Sequence, residues 1–171
     1  ASNGDKLQIK QTLKYAKALA TAQRAKNKQR VKAIHAKIKN TRQDLIHKFT
    51  TQLVKDNALI VVGDVRTTQF NSKKGKLAKS VYDAGWFELK RQLTYKCENA
   101  GCRFEIVNEK YTTQTCSCCG DMSSSLSGRA GLRIREWTCA TCGTRHDRDI
   151  NASKNILAVG LDRLAEGIPE R

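Results

Sequence analysis

The apolar residues of the first third of the chain fall at helical intervals on an otherwise polar background. Ile34, Ile38, Leu45, Phe49 and Leu53 recur at spacings of 4, 7, 4 and 4, one face of a 3.6-residue period. With no proline and no glycine after Gly4, residues 6–56 predict a short strand and two helices, or one long helical hairpin. Ahead of them, A-S-N-G-D at residues 1–5 reads as a hairpin turn whose first strand lies outside the sequence. The period then changes. Residues 58–65, A-L-I-V-V-G-D-V, are a continuous apolar run of strand length, the pattern of a central strand buried on both faces, and an acid follows Gly63 where it ends. Residues 66–77, with Lys73, Lys74 and Lys76, predict a basic loop. Residues 78–93 predict a helix with Val81, Trp86, Leu89 and Leu93 on one face and Trp86 in the core.

Period two returns at residues 103–110, where Glu105, Val107 and Glu109 alternate with Phe104, Ile106 and Asn108. Residues 121–130 are Ser/Gly-rich and predict a mobile tip. Residues 151–166 predict a last helix with Leu157, Leu161 and Leu164 on one face, capped at its start by Asp149 or Asn151. It stops before Pro169.

Cysteine spacing adds chemistry to this outline. Cys116 and Cys119 form one C-x-x-C, and Cys139 and Cys142 form a second after 19 intervening residues. Each pair is followed by a glycine, Gly120 or Gly143, which permits a tight turn under the sulfurs. Two such knuckles can place four thiolates around one structural Zn²⁺. Cys118 is a spare inside the first knuckle. Cys97 and Cys102 lack two further ligands and read as thiols that pack as small hydrophobes. All seven cysteines lie after residue 96, which suits a reducing compartment and a local metal site. His35 and His47 have no partner at ligand spacing and read as ordinary surface or packing residues.

Charge narrows the partner. The chain has 171 residues, enough for one core and a small metal-stapled module, and its net charge is +16. Residues 1–56 carry 14 Lys/Arg and 3 Asp/Glu, so about two-thirds of the excess sits there. That density favours a phosphate-contacting surface over a merely solvated one. No apolar run approaches 18 residues and no signal peptide is visible, so neither a bilayer span nor secretion is expected. In a chain of this charge, carboxylates at strand ends and helix starts suggest Mg²⁺-dependent phosphodiester cleavage. The candidates are Asp64, Glu105, Glu109, Asp147 and Asp149, though spacing alone favours caps and surface charges over catalysis.

The segment Y-T-T-Q-T-C-S-C-C-G, followed by W-T-C-A-T-C-G-T-R-H-D-R-D-I-N-A-S-K-N-I-L, closely resembles the C-terminal signature of the TnpB/OrfB proteins of IS605/IS607-type transposons. These are similar to the compact type V CRISPR effectors. The likeness is most specific from Tyr111 to Leu157 and extends over nearly the whole chain. It implies an α/β RNase H-like (RuvC) core, incomplete at the N-terminus, with an inserted zinc ribbon. The expected divisions are a RuvC-like segment with a basic helical hairpin at 1–110, the ribbon at 111–146, and a C-terminal RuvC segment and helix at 147–171. It also implies RNA-guided DNA cleavage in the prokaryotic cytoplasm, with guide RNA and target DNA as partners.

The family's nuclease uses three acids. The third matches Asp149, which makes Asp147 its neighbour. The second position falls on Gly63, which has no side chain. In some relatives a relocated glutamate precedes the Y-T-S-x-T-C segment, and Glu109 fits that place, with Glu105 and Asp64 as lesser candidates. The first acid belongs to a strand upstream of residue 1. An upstream region or a companion chain is therefore expected to supply it, and the segment alone is expected not to cut. The site expected from sequence comprises Glu109 and Asp149 for catalysis with Mg²⁺, and Cys116, Cys119, Cys139 and Cys142 for Zn²⁺. The alternatives are a non-catalytic nucleic-acid-binding zinc protein and, less consistent with the mixed α/β pattern, an isolated ribbon that binds DNA.

Overall fold

A computed structural model describes residue 2 and residues 11–64, 85–131 and 133–167. The turn expected at residues 1–5, the loop at 66–77, the start of the helix at 78–84 and Pro169 lie outside the described residues. The chain divides into two compact units.

One unit is helical and comprises, among the described residues, 11–58 and 85–103. Helix α1 (Gln11–Arg24) and α2 (Lys28–Asp56) form the hairpin that the periodicity predicts. A turn joins them, with Lys26 at φ +51 and the Asn27 side chain capping α2 by accepting from Arg30 N at 2.9 Å. Ala22, Ile34 and Ile38 are buried between the two, with Tyr15, Leu19 and Val31 packed around them. Farther along α2 the buried residues are Ile46 and Thr50, while Leu45, Phe49 and Leu53 are half-buried. There α2 packs on α3 (Trp86–Ala100), the helix expected over 78–93, which continues seven residues past that expectation.

Polar contacts inside this unit fix the pairing of α2 and α3. Thr50 Oγ1 donates to Gln92 Oε1 at 2.9 Å and accepts from Lys96 Nζ at 2.7 Å. Lys96 also donates to the His47 carbonyl and to Thr51 Oγ1. Gly101, at φ +68, ends α3 with its N–H on the Cys97 carbonyl. Cys97 is buried and Cys102 half-buried, and burial pushes the Cys97 thiol up to about 12. Trp86, expected in the core, is only half-buried at the first turn of α3.

The other unit holds, among the described residues, 59–64 and 104–167. Strands β1 (Leu59–Gly63) and β2 (Arg103–Val107) pair, with Arg103 N on the Ala58 carbonyl and Asp64 N on the Val107 carbonyl. Those two bonds require the strands to run the same way. Contrary to the reading of a strand buried on both faces, only Ile60 and Gly63 of β1 are buried, and among the described residues β1 has one strand neighbour. Glu105 and Val107 form the buried side of β2, as the alternation predicts, while Ile106 is exposed.

Helix α5 (Arg148–Ala165) packs on β1, so closely that a Cβ at Gly160 would stand 2.4 Å from Val61 Cγ2. This corrects the expected leucine face. The buried positions are Arg148, Asn151, Ala152 and Gly160, and Leu161 faces solvent. The small residue admits the strand at the centre of the contact, which leaves Leu157 and Leu164 half-buried at its edge. The cap is corrected too: Asp147, not Asp149 or Asn151, accepts from the N–H groups of Asp149 and Ile150.

Between β2 and α5 lies the ribbon. Strands β3 (Glu136–Thr138) and β4 (Arg145–Asp147) are antiparallel, with Trp137 opposite His146. Residues 121–130 are not the bare tip expected. A 3-10 turn at Ser124–Leu126 and a one-turn helix α4 (Gly128–Gly131) put Leu126 into the ribbon core beside Cys116, Trp137 and Cys139. A small module with few apolar residues buries the one leucine this loop offers, while Met122 stays exposed.

Candidate metal centre and acidic site

The two knuckles are built alike. Cys116 N donates to the Asp121 carbonyl and Gly120 N to the Cys116 carbonyl; Cys139 N donates to the Thr144 carbonyl and Gly143 N to the Cys139 carbonyl. Gly120 and Gly143 hold φ of +78 and +70, the left-handed turn that glycine permits cheaply. The result is convergence: the Sγ atoms of Cys116, Cys119, Cys139 and Cys142 all lie within 4.8 Å of one another. Cys116–Cys142 and Cys119–Cys139 are each 3.7 Å apart. A tetrahedron of Zn–S bonds of about 2.3 Å has S···S edges of about 3.8 Å, so the group is compatible with zinc. Cys118 is exposed outside the cluster.

The surroundings act on the thiols in opposite directions: against a lowering bond from the Asp121 backbone, burial and the neighbouring sulfurs push the Cys119 thiol up to about 12. Thr144 Oγ1 lies 3.3 Å from Cys142 Sγ, and hydrogen bonding from Thr144 brings the Cys142 thiol down to about 6. His146 Nε2 lies 3.1 Å from Cys116 Sγ, and the imidazole stacks on Trp137 with ring centroids 4.7 Å apart. Burial first, and Lys154 second, lower its pKa, so a neutral ring can hold the sulfur without adding charge. Nothing in the sequence reading singled out His146.

The acids occupy different settings. Glu109 follows β2 and reaches back over β1: a Cβ on Gly63 would lie 2.6 Å from Glu109 Oε2 and 3.0 Å from Glu109 Cβ. Its carboxylate fills the space that a side chain at Gly63 would enter. Asp149 stands in the first turn of α5, exposed, with Arg135 Nη1 3.6 Å from its Oδ2. Asp147 is spent on the helix cap, Glu105 is only 8% exposed on β2, and Asp64 is exposed after β1. Among the described residues no three of these acids converge as the cysteines do.

Also missed from sequence was a pair of asparagines. Asn151 is 1% exposed; its Oδ1 accepts from Ser117 N at 2.9 Å and its Nδ2 donates to the Thr112 and Thr115 carbonyls. Asn155 Nδ2 donates to the same two carbonyls. Two amides four residues apart in N-A-S-K-N, on the face of a helix directly after an acid, were the available signal.

A basic mixed α/β chain, with a four-cysteine ribbon running straight into an acid-bearing helix, defines a class of ribbon-bearing proteins with a candidate metal centre. Comparison with known proteins names the family. Residues 3–72 match the OrfB_IS605 family model, described as "Probable transposase", and residues 86–156 match the model described as "Cas12f1-like, TNB domain". A Streptomyces pristinaespiralis protein named as an RNA-guided DNA endonuclease is 40% identical over 152 residues, covering 88% of this chain and 36% of its own length. A second so named, InsQ of Escherichia coli strain K12, is 32% identical and covers 83% of this chain and 38% of its own length. The chain belongs to the TnpB/OrfB family. It thus spans little more than a third of those relatives. The cryo-EM structure of a Cas12f1–sgRNA–target DNA complex superposes with a TM-score of 0.65 at 15% identity, over 87% of this chain and 42% of that one, a likeness of fold. No helix among the described residues is long and apolar enough to cross a membrane.

Proposed function

We propose that the chain is the ribbon- and acid-bearing C-terminal portion of a transposon-encoded, RNA-guided DNA endonuclease with an RNase H-like (RuvC) core. The observation that carries this reading is the Glu109 carboxylate lying over Gly63. In the family that the chain resembles an acid is expected at the position of Gly63, and a carboxylate reaching there from the next strand can serve the same point. Glu109 and Asp149 offer the hard oxygen donors that Mg²⁺ prefers, and an acid from an upstream strand or companion chain completes the set. Mg²⁺ held there would activate water and stabilise the leaving oxygen of a phosphodiester. The chain's own residues orient it. Asp147 fixes the first turn of α5 and hence Asp149, and Arg135 is the neighbour that a cation would displace there.

The four thiolates hold Zn²⁺ structurally, which stiffens the ribbon against the helix that carries Asp149. Functional boundaries fall at 110/111 and 146/147. Guide RNA and target DNA are the partners, met largely by the basic helices of 1–56, in the prokaryotic cytoplasm, where free thiols persist.

The test uses the full-length protein with its guide RNA. Glu109→Ala and Asp149→Ala each lower Mg²⁺-dependent cleavage more than about a hundredfold while sparing DNA binding. Gly63→Glu combined with Glu109→Ala regains part of the activity, because the acid returns to the same point. Cleavage retained in either single variant removes that residue from the site. The pairing of Asp149 with Arg135, and the lack of three convergent acids among the described residues, favour the second reading, a nucleic-acid binder without cleavage. Binding without cleavage by the full-length wild type would establish it.

A further inference from the structure

The two candidate sites of the ribbon-bearing unit are joined by one short segment, and that segment is gripped from the side. It begins at Glu109, whose carbonyl accepts from Thr112 N at 3.2 Å and Thr112 Oγ1 at 2.8 Å. It turns through Tyr111, at φ +67, whose carbonyl takes the N–H groups of Gln114 and Thr115. It ends at Cys116, a member of the thiolate cluster. The carbonyls of Thr112 and Thr115 could have been left to water. Instead each receives two amide donors from α5: Asn151 Nδ2 at 3.3 and 2.7 Å, and Asn155 Nδ2 at 2.9 and 2.7 Å. Asn151 Oδ1 closes the grip on Ser117 N, beside Cys116. Every hydrogen-bonding group of the Asn151 side chain is thereby spent on this segment.

Neither asparagine is a thiolate, an acid or a cap. Asn151 nevertheless lies two residues after Asp149 on the same helix, and the segment it holds starts at Glu109. We propose that Asn151, seconded by Asn155, is a positioning residue: it fixes the 109–117 segment to α5 so that the Glu109 and Asp149 carboxylates are set together only when the cysteine cluster is loaded with metal. The inference rests on the reading of Glu109 and Asp149 as divalent-cation ligands. Its physical basis is a continuous path: Cys116 is bonded through the chain to Thr115, the two amides bridge the Thr115 and Thr112 carbonyls, and Thr112 donates to the Glu109 carbonyl. Loading the cluster immobilises one end of that path. The buried amides carry the constraint to the other, as groups outside a metal's ligand shell do when they orient the ligands. Without the amides, the cluster could still load while Glu109 moved off Gly63.

The experiment measures Mn²⁺ affinity by electron paramagnetic resonance in the zinc-loaded full-length protein, alongside zinc content and the cleavage rate against Mg²⁺ concentration. Asn155→Ala removes two donors from a half-buried position. Asn151→Asp keeps the acceptor for Ser117 N and removes the donors. The expected result for both is full zinc content, Mn²⁺ binding weakened about tenfold or more, and cleavage that recovers as Mg²⁺ is raised. A purely structural role would lower zinc content and melting temperature together, with no recovery by Mg²⁺, and would overturn the proposal. So would unchanged Mn²⁺ affinity in both variants. Glu109→Gln separates this failure from that of the underlying reading. If Glu109→Gln weakens Mn²⁺ binding and the asparagine variants do not, only the positioning role falls. If Glu109→Gln also binds Mn²⁺ normally, the acid site itself falls.

Discussion

At the scale of single residues, the division of labour among the cysteines follows from geometry. Four converge and Cys118 does not. Cys139→Ser removes one of four ligands together with a buried group, and the expected outcome is loss of bound zinc and of ribbon order. Cys118→Ser leaves both intact. Metal content after dialysis against a weak chelator checks the pair. An acid in the helical unit gives a second prediction. Glu88 accepts two bonds from the Arg91 guanidinium and one from Gln92, and the Arg91 contact holds its carboxyl down at about 2 from an ordinary 4.5. A depressed carboxylate stabilises the fold above its unfolded pKa, and that contribution fades as pH falls toward the folded value. Glu88→Gln is therefore expected to cost about 0.5–1 kcal/mol at pH 7, the range for a solvent-screened pair. The difference should shrink between pH 4.5 and about 2, as read by urea unfolding at several pH values.

At the scale of elements, α5 is the piece on which the ribbon-bearing unit depends. It packs on β1 through Gly160, is capped by Asp147, carries Asp149, and grips the segment leading to the first knuckle. Gly160→Ala would raise helix propensity by about 1 kcal/mol. The new Cβ would meet Val61 Cγ2 at 2.4 Å and Val61 Cγ1 at 2.8 Å, and Val61 is a half-buried residue of a strand held in place by its pairing with β2. Overpacking of that kind costs about 1–3 kcal/mol, so the net effect expected is destabilisation, measured by thermal unfolding. The element scale also shows why sequence patterns misplace a helix face. Leu157, Leu161 and Leu164 make the more hydrophobic stripe, yet Leu161 is exposed, the other two are only half-buried, and the fully buried positions are Arg148, Asn151, Ala152 and Gly160. Close approach to β1 and bonds to the ribbon decide the matter over side-chain size.

At the scale of the whole molecule, the excess of positive charge is the dominant property. With a net charge of +16, about two-thirds of it in residues 1–56, binding to nucleic acid is expected to weaken steeply with salt. If six or more phosphates are contacted, affinity should fall about a thousandfold between 50 and 200 mM salt. Replacing exposed Lys32 or Lys39 on α2 with Ala should lower the slope of log affinity against log salt by about one each, whatever the sequence of the nucleic acid. A filter-binding series at several salt concentrations reads both quantities.

What the sequence determined by itself was what depends on neighbours along the chain. The two knuckles, their glycines, the helical hairpin and the charge are legible because their physics is local: a ligand spacing, a turn, a 3.6-residue period, a count. The alternation at residues 103–110 likewise marked the buried face of Glu105 and Val107. Only the tertiary structure decided what depends on distant segments meeting. Leu126 reads as one apolar residue among serines until β3 and the knuckles close around it. Gly63 and Glu109 are far apart in sequence, and only the pairing of β1 with β2 brings the carboxylate over the glycine. Asn151 and Asn155 could serve a solvated helix face equally well, until the 112–117 segment lies against them. Periodicity and spacing record what the backbone repeats. Which surfaces then meet depends on the approach of whole elements, and a residue's neighbours along the chain do not encode it.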